Sequence, residues 1–151
     1  GLAVLSLAHQ AQPLLREISG PLIRALADAT SATAYVGVVD GSDLLTIAGA
    51  EPAGADVHVA YQIGARTPLE RGAAGRAILA ARTTGGRALE PPWVVSTGDA
   101  PSFGFGVAAV IPGVSGLEAV VGVIALVEPH EQTLGPQVAQ TAQEISRVLL
   151  E

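Results

Sequence analysis

The sequence predicts an α+β fold: a sheet of about six antiparallel strands covered by N-terminal, central and C-terminal helices. Three observations lead there. Strand-like segments follow one another across short turn-forming stretches, which makes neighbours antiparallel. Segments with helical spacing stand at both ends of the chain and in its middle. The 151 residues are 49% hydrophobic but only 3% aromatic. That is enough for one domain and one core, built from Val, Leu, Ile and Ala.

The elements follow in order. Leu2–Gln12 has helical spacing, with Leu2, Leu5 and His9 on one side and Val4, Leu7 and Ala8 beside them. Ser19-Gly20-Pro21 reads as the start of a second helix, since proline is pre-organised for a first turn. Leu22, Ile23, Leu26 and Ala29 form its expected buried stripe. Thr33–Asp40 is β-branched and reads as a strand, Asp40–Asp43 as a hairpin turn, and Leu44–Glu51 as the return strand. Val57–Ile63 alternates as a strand does. Gly72–Arg82 is the central helix, residues 83–92 a connection, and Trp93–Thr97 a strand. Two core strands follow, Phe105–Pro112 and Leu117–Glu128, joined by a tight turn. Thr133 is positioned to cap a last helix with Pro136 in its first turn. Val138, Ala142, Ile145 and Leu149 line its inner face.

Composition excludes several classes. The formal charge is −6 and all eight basic residues are arginines, scattered along the chain. No basic patch offers duplex DNA a footprint, so this chain alone is not expected to bind nucleic acid. There is no cysteine, hence no disulfide, zinc-thiolate site or thiol nucleophile. The longest apolar run, Leu117–Val127, is broken by Glu118 and too short to span a membrane. The apolar opening lacks a basic n-region, unlike a secretory signal. No membrane partner is expected and the location is read as cytoplasmic.

No constellation of catalytic groups emerges. His9, His58 and His130 have no metal-ligand spacing, and no carboxylate pair stands out as acid and base. Ser115 lacks a nucleophile elbow, and Gly104–Gly106 is followed by no helix that could serve a dinucleotide. Catalytic residues, metal and cofactor are all expected to be none. The stretch GARTPLERGAAGRAILAAR, Gly64–Arg82, is different. Gly72, Ala73, Ala74 and Gly75 open a helix, and free N–H groups there attract a carboxylate. The same small residues suit close packing of helix on sheet, and both readings stand.

The order of elements, with G-x-R-x-P-L-x-x-x-x-x-G-R-A-x-L-A over Gly64–Ala80, resembles the effector-binding domain of IclR-type bacterial transcription regulators. Gly1–Ala8 is similar to the segment that follows the winged helix-turn-helix in that family. Residues 21–45 resemble its first helix, strand and hairpin, and residues 104–129 its late core strands. Several features depart from the pattern. Glu70 and Arg76 replace a usual His and Lys, and the connection after the central helix is several dozen residues shorter. Asp99 is the nearest candidate for a usual acidic residue. Gly106 stands where Cys or Ser is frequent, and Ala125 and Val127 replace polar residues.

The resemblance implies a GAF-like effector-binding domain over residues 1–151, with residues 1–12 leading from a DNA-binding domain absent from this chain. It implies a cleft between sheet and central helix lined by Ala73, Ala74, Gly75, Gly104, Phe105, Gly106, Ala125 and Val127. Tyr61, Arg66, Trp93 and Phe103 flank it; core packing is the other reading of Trp93 and Phe103, and a loop salt bridge that of Arg66. Gly106 marks either a cavity or tight packing. The implied partner is a small, mostly hydrophobic or aromatic effector with one carboxylate or carbonyl. The apolar first helix points to a homodimer or higher homo-oligomer. A free-standing sensor or interaction module of the same fold is the alternative, and a small enzyme a third.

Overall fold

A computed structural model describes residues 2–54, 63–97, 104–114, 116–126 and 130–151, with side chains from residue 11 onward. The elements are α1 (Leu2–Thr30), β1 (Thr33–Asp40), β2 (Asp43–Ala50), β3 (Arg66–Pro68), α2 (Gly72–Thr83), β4 (Val94–Thr97), β5 (Phe105–Ile111), β6 (Ala119–Ala125) and α3 (Glu131–Leu150). The six strands form one antiparallel sheet in the order β3-β2-β1-β6-β5-β4.

The expected pair of N-terminal helices is one continuous helix of 29 residues, about 44 Å long at the standard rise. Pro13 and Pro21 lie inside it, and both are exposed. Proline removes one N–H and leaves the carbonyl four residues back without its donor. At Pro21 that carbonyl belongs to exposed Glu17, where solvent can replace the lost donor, and the helix continues. The inner stripe is Leu15, Ile23, Leu26 and Ala27, and the expected Ala29 is exposed. At the other end of the chain, α3 starts at Glu131 with His130 as its N-cap. Thr133 is therefore inside the first turn, and Pro136 falls in the second. The expected strand Val57–Ile63 lies outside the described residues except for Ile63, which is in a turn. The described third strand is Arg66–Pro68.

The sheet has two unlike faces. Odd and even positions of a strand point to opposite sides. Ala34, Val36 and Val38 of β1, Val107, Ala109 and Ile111 of β5, and Val121 and Val123 of β6 meet α1 and α3 in one apolar cluster. The alternate positions, including Tyr35, Ala108 and Val120, meet α2. One bulge keeps β2 in this scheme: Val36 pairs with Ala48 and Gly37 with Thr46, so Ile47 is left out of the ladder. The shift lets Leu45 and Ile47 face α1 before the bulge, and Ala48 and Ala50 after it. The Arg16 Nε donates to the Ile47 carbonyl at 3.0 Å, which pins α1 to the bulge.

Tyr35 is the largest described side chain on the α2 face, and it fits because its neighbour is Gly122. A Cβ at Gly122 would stand 2.6 Å from the Tyr35 hydroxyl oxygen and 2.9 Å from the Val107 carbonyl oxygen. The backbone carbonyl cannot yield as a flexible side chain would. Gly122→Ala is therefore expected to destabilise the domain by about 1–3 kcal/mol, the cost of overpacking. Urea unfolding of variant and wild type measures it, and equal midpoints would refute it.

Candidate functional site at the mouth of helix α2

Helix α2 starts at Gly72, whose φ of 79° suits glycine and whose Cβ position is open space. Its N-cap, Arg71, has extended backbone and gives no side-chain hydrogen bond to the first turn. The free N–H groups of that turn thus lack the usual side-chain cap. Ala73 and Ala74 are buried against the sheet. Gly75 serves another purpose. A Cβ there would collide with the backbone of Leu69, so the glycine lets the helix fold back on the turn before it. Leu69 itself is buried under α2.

Opposite this mouth stands Gly106 of β5. A Cβ at Gly106 would lie 3.3 Å from the Ala73 Cβ and 2.9 Å from the Ser96 Oγ. Of the two readings of Gly106, the geometry is that of tight packing. Ser96 pairs with Gly106 across the β4–β5 ladder and is 5% exposed. Its hydroxyl has no hydrogen-bond partner among the described residues. By contrast, buried Ser19, Thr141 and Ser146 each donate to a backbone carbonyl. A buried hydroxyl left unsatisfied costs about 1–3 kcal/mol, and this one stands close to Gly106, opposite the helix mouth. Thr33, Tyr35 and Thr46 add further buried hydroxyls to the same face of the sheet, each with a partner of its own. Among the described residues, the buried hydroxyls on the other side of the sheet, Ser19, Thr141 and Ser146, come from α1 and α3 and not from the strands.

The residues expected at the site divide into groups. Ala73 and Gly106 come together, Ala74 is buried in the same cluster as Ala73, and Gly104 is buried just before β5. Gly75 belongs to the helix start but is closed by Leu69. Ala125 packs against the α1/α3 cluster, on the far side of the sheet, and Phe105, paired with it, falls on that side by the alternation of β5. The residue of β6 that faces α2 opposite Gly106 is Ile124. Trp93 also belongs to the far side: it packs over Gly135 of α3 and donates from Nε1 to Glu131 at 3.0 Å. Arg66 sits on β3 and forms an ion pair with Asp40, both half-exposed. Tyr61, Phe103 and Val127 lie outside the described residues. Ser96 and Ile124 are not singled out by the sequence; their signal is the strand alternation, which places them with Val94 and Val120.

The far end of α2 is tied by charge. Arg82 donates from Nε and Nη2 to both carboxylate oxygens of Glu118, at 2.8 and 2.7 Å. This fork holds the Glu118 carboxyl below the ordinary range and raises the Arg82 guanidinium, chiefly through the hydrogen bonds themselves. Among the described residues, no group of three or more His, Asp or Glu could hold a metal ion, and no helix is long and apolar enough to cross a membrane.

The profile of the bacterial transcriptional regulator IclR C-terminal family matches residues 7–88. The chain belongs to this family. Solved structures of the same fold include an IclR transcriptional regulator from Alicyclobacillus acidocaldarius. It is 18% identical with a TM-score of 0.75, over 96% of this chain and 72% of that one. An IclR-family transcriptional regulator from Brucella abortus is 19% identical with a TM-score of 0.72, over 89% of this chain and 63% of that one. The inducer-binding domain of the PobR transcription factor from Acinetobacter, solved as a double mutant with 3-hydroxybenzoic acid, is 16% identical. Its TM-score is 0.70, over 88% of this chain and 98% of that one. No curated protein sequence matches the chain.

The Arg82–Glu118 fork gives a pH-dependent prediction. A carboxyl whose folded pKa is depressed contributes stability above its unfolded pKa and loses it as the pH falls through the folded value. Wild type is therefore expected to be modestly more stable than Glu118→Gln at neutral pH. The difference should shrink toward zero well below the ordinary carboxylate range. Urea melts at the two pH values check this, and a difference that persists unchanged in acid would contradict it.

Proposed function

We propose that residues 1–151 form one effector-sensing domain of a transcription regulator, which binds a mostly apolar or aromatic molecule carrying one carboxylate or carbonyl. The observation that carries this reading is the first turn of α2, with no side-chain cap, beside the buried Ser96 hydroxyl that has no partner among the described residues. Such a turn favours an anion through its N–H groups and the helix dipole. The hydroxyl adds one donor. Nearby Ile124 and Val94 are only partly buried, and they reward apolar area at about 25 cal/mol per Å². A sugar or short hydroxy acid would leave its other polar groups unpaired there. The aromatic acid held by the PobR domain, which shares the fold, is of the class this chemistry selects.

The output follows from linkage. A ligand that fits one arrangement of the subunits better shifts the population toward it, and DNA binding by a winged helix-turn-helix elsewhere in the regulator shifts with it. Helix α1 connects the two, since Arg16 fixes it to β2 and its earlier turns run toward the start of the chain. Leu14 of α1 is 46% exposed, and we assign this helix to a homodimer contact. The domain acts through binding and assembly, with no catalytic step and no cofactor.

Ser96→Ala separates a ligand role from a packing role. The variant is expected to be as stable as wild type or up to about 1 kcal/mol more stable, because an unsatisfied buried hydroxyl is removed. Its affinity for an aromatic monocarboxylate should fall about tenfold, the loss of one charge-assisted hydrogen bond. Thermal-shift titration against a panel of aromatic acids, polyols and short hydroxy acids reads both. Hits confined to the polyols and hydroxy acids, or undiminished binding by the variant, would reject the site.

Residues 1–151 alone should show no sequence-selective, salt-sensitive DNA binding in a gel shift, given the charge of −6. Sedimentation at tens of micromolar should give a dimer that Leu14→Glu weakens. A clean monomer for wild type would count against the assembly.

A further inference from the structure

A cavity of about 460 Å³ lies at the opposite end of α2, between its last turn, residues 84–92, the outer edge of β5 and helix α3. The volume falls in the range of small-molecule sites. It exists because β4 begins only at Val94, opposite Ala108. Continuing that register, Pro91 and Pro92 would face Ile111 and Val110, and proline has no N–H to give a ladder. The outer edge of Ala109–Ile111 is thus without a strand among the described residues.

The walls have a definite chemistry. Leu89, Pro92, Val110 and Ala139 give apolar surface, while Gln140 and Gln143 bring carboxamides from α3. Arg87 is the sole charged residue of the lining among the described residues. Among the described residues its Nε reaches only the Thr84 carbonyl, at 3.4 Å. Arg24, Arg66, Arg82 and Arg147 each face a carboxylate, whereas Arg87 has no such partner among the described residues. An apolar trough with one uncompensated cation at its rim complements an amphipathic anion. An added peptide strand suits it less well, because an open edge of three residues offers few ladder bonds compared with a usual strand of about five or six.

We propose that this groove is a second small-molecule site, which takes an amphipathic monocarboxylate with its apolar body against Ala139 and Leu89 and its carboxylate on Arg87. The proposal rests on the groove alone and is independent of the helix-mouth site. The test uses isotope-labelled protein titrated with octanoate and, separately, with neutral octanamide. Octanoate is expected to shift the amide resonances of Gly86–Ala88 and Ala139–Gln143 in a saturable way. Octanamide, or octanoate added to Arg87→Gln, should bind about tenfold more weakly, the usual weight of one charge-assisted contact. Arg87 is exposed, so the variant should fold, and its melting curve verifies that. Ala139→Trp, which fills the trough, should abolish the shifts. Shifts confined to Ala73 and Ala74, equal binding of acid and amide, equal binding by Arg87→Gln, or no shift with millimolar octanoate would each overturn the proposal.

Discussion

A side chain at position 106 would meet the Ala73 Cβ at 3.3 Å and the Ser96 Oγ at 2.9 Å, so α2 comes down onto the sheet only because that position is glycine. Much else depends on this close approach. It places the start of α2 over the β4–β5 ladder and buries Ser96. It also leaves the first-turn N–H groups of the helix beside a hydroxyl that has no other partner among the described residues. A chain with only five aromatic residues cannot fill a thick interlayer space. It uses glycine where groups come close: Gly75 on the Leu69 backbone, Gly106 on the Ala73 and Ser96 side chains, Gly122 on the Tyr35 hydroxyl and Gly135 on the Trp93 ring.

The two faces of the sheet divide the work. Toward α1 and α3 the strands present Val, Ile and Ala to the core cluster without a hydroxyl, the composition of a core that only has to hold. Toward α2 they present Thr33, Tyr35, Thr46 and Ser96. Buried polar groups are costly unless satisfied; Thr33, Tyr35 and Thr46 have partners, and Ser96 has none among the described residues. Helix α2 is fixed over that face at both ends, by the Leu69 turn at its start and the Arg82–Glu118 fork at its finish. A helix held in this way presents its free N–H groups in a set position.

Much of this is legible in the residues. The run Thr33–Asp40 is the observed β1, residue for residue, because β-branched alternation and a following Asp-Gly turn leave little choice. The start of α2 at Gly72 is equally plain. The helix break expected before Pro21 does not occur, because a proline on the water side of a helix costs a hydrogen bond that solvent replaces. Assigning residues to faces is harder. Family resemblance puts Ala125 and Phe105 in the cleft, but one residue along a strand reverses the side, and Ile124 holds the position opposite Gly106. Ser96 needs two facts that no single segment carries: its register with Gly106, and the absence of any described partner for its hydroxyl. Trp93 is readable either way until Gly135 of α3 provides the flat surface beneath its ring.

The most direct measurement follows the Ala73 and Ala74 amide protons while an aromatic monocarboxylate is added. If the helix mouth holds the carboxylate, these two resonances shift downfield together and their hydrogen exchange slows, with smaller changes at Ser96. If they stay in place while the compound binds elsewhere, or if their exchange rates are unchanged at saturation, the first turn of α2 does not anchor the ligand and the domain is not a helix-mouth sensor.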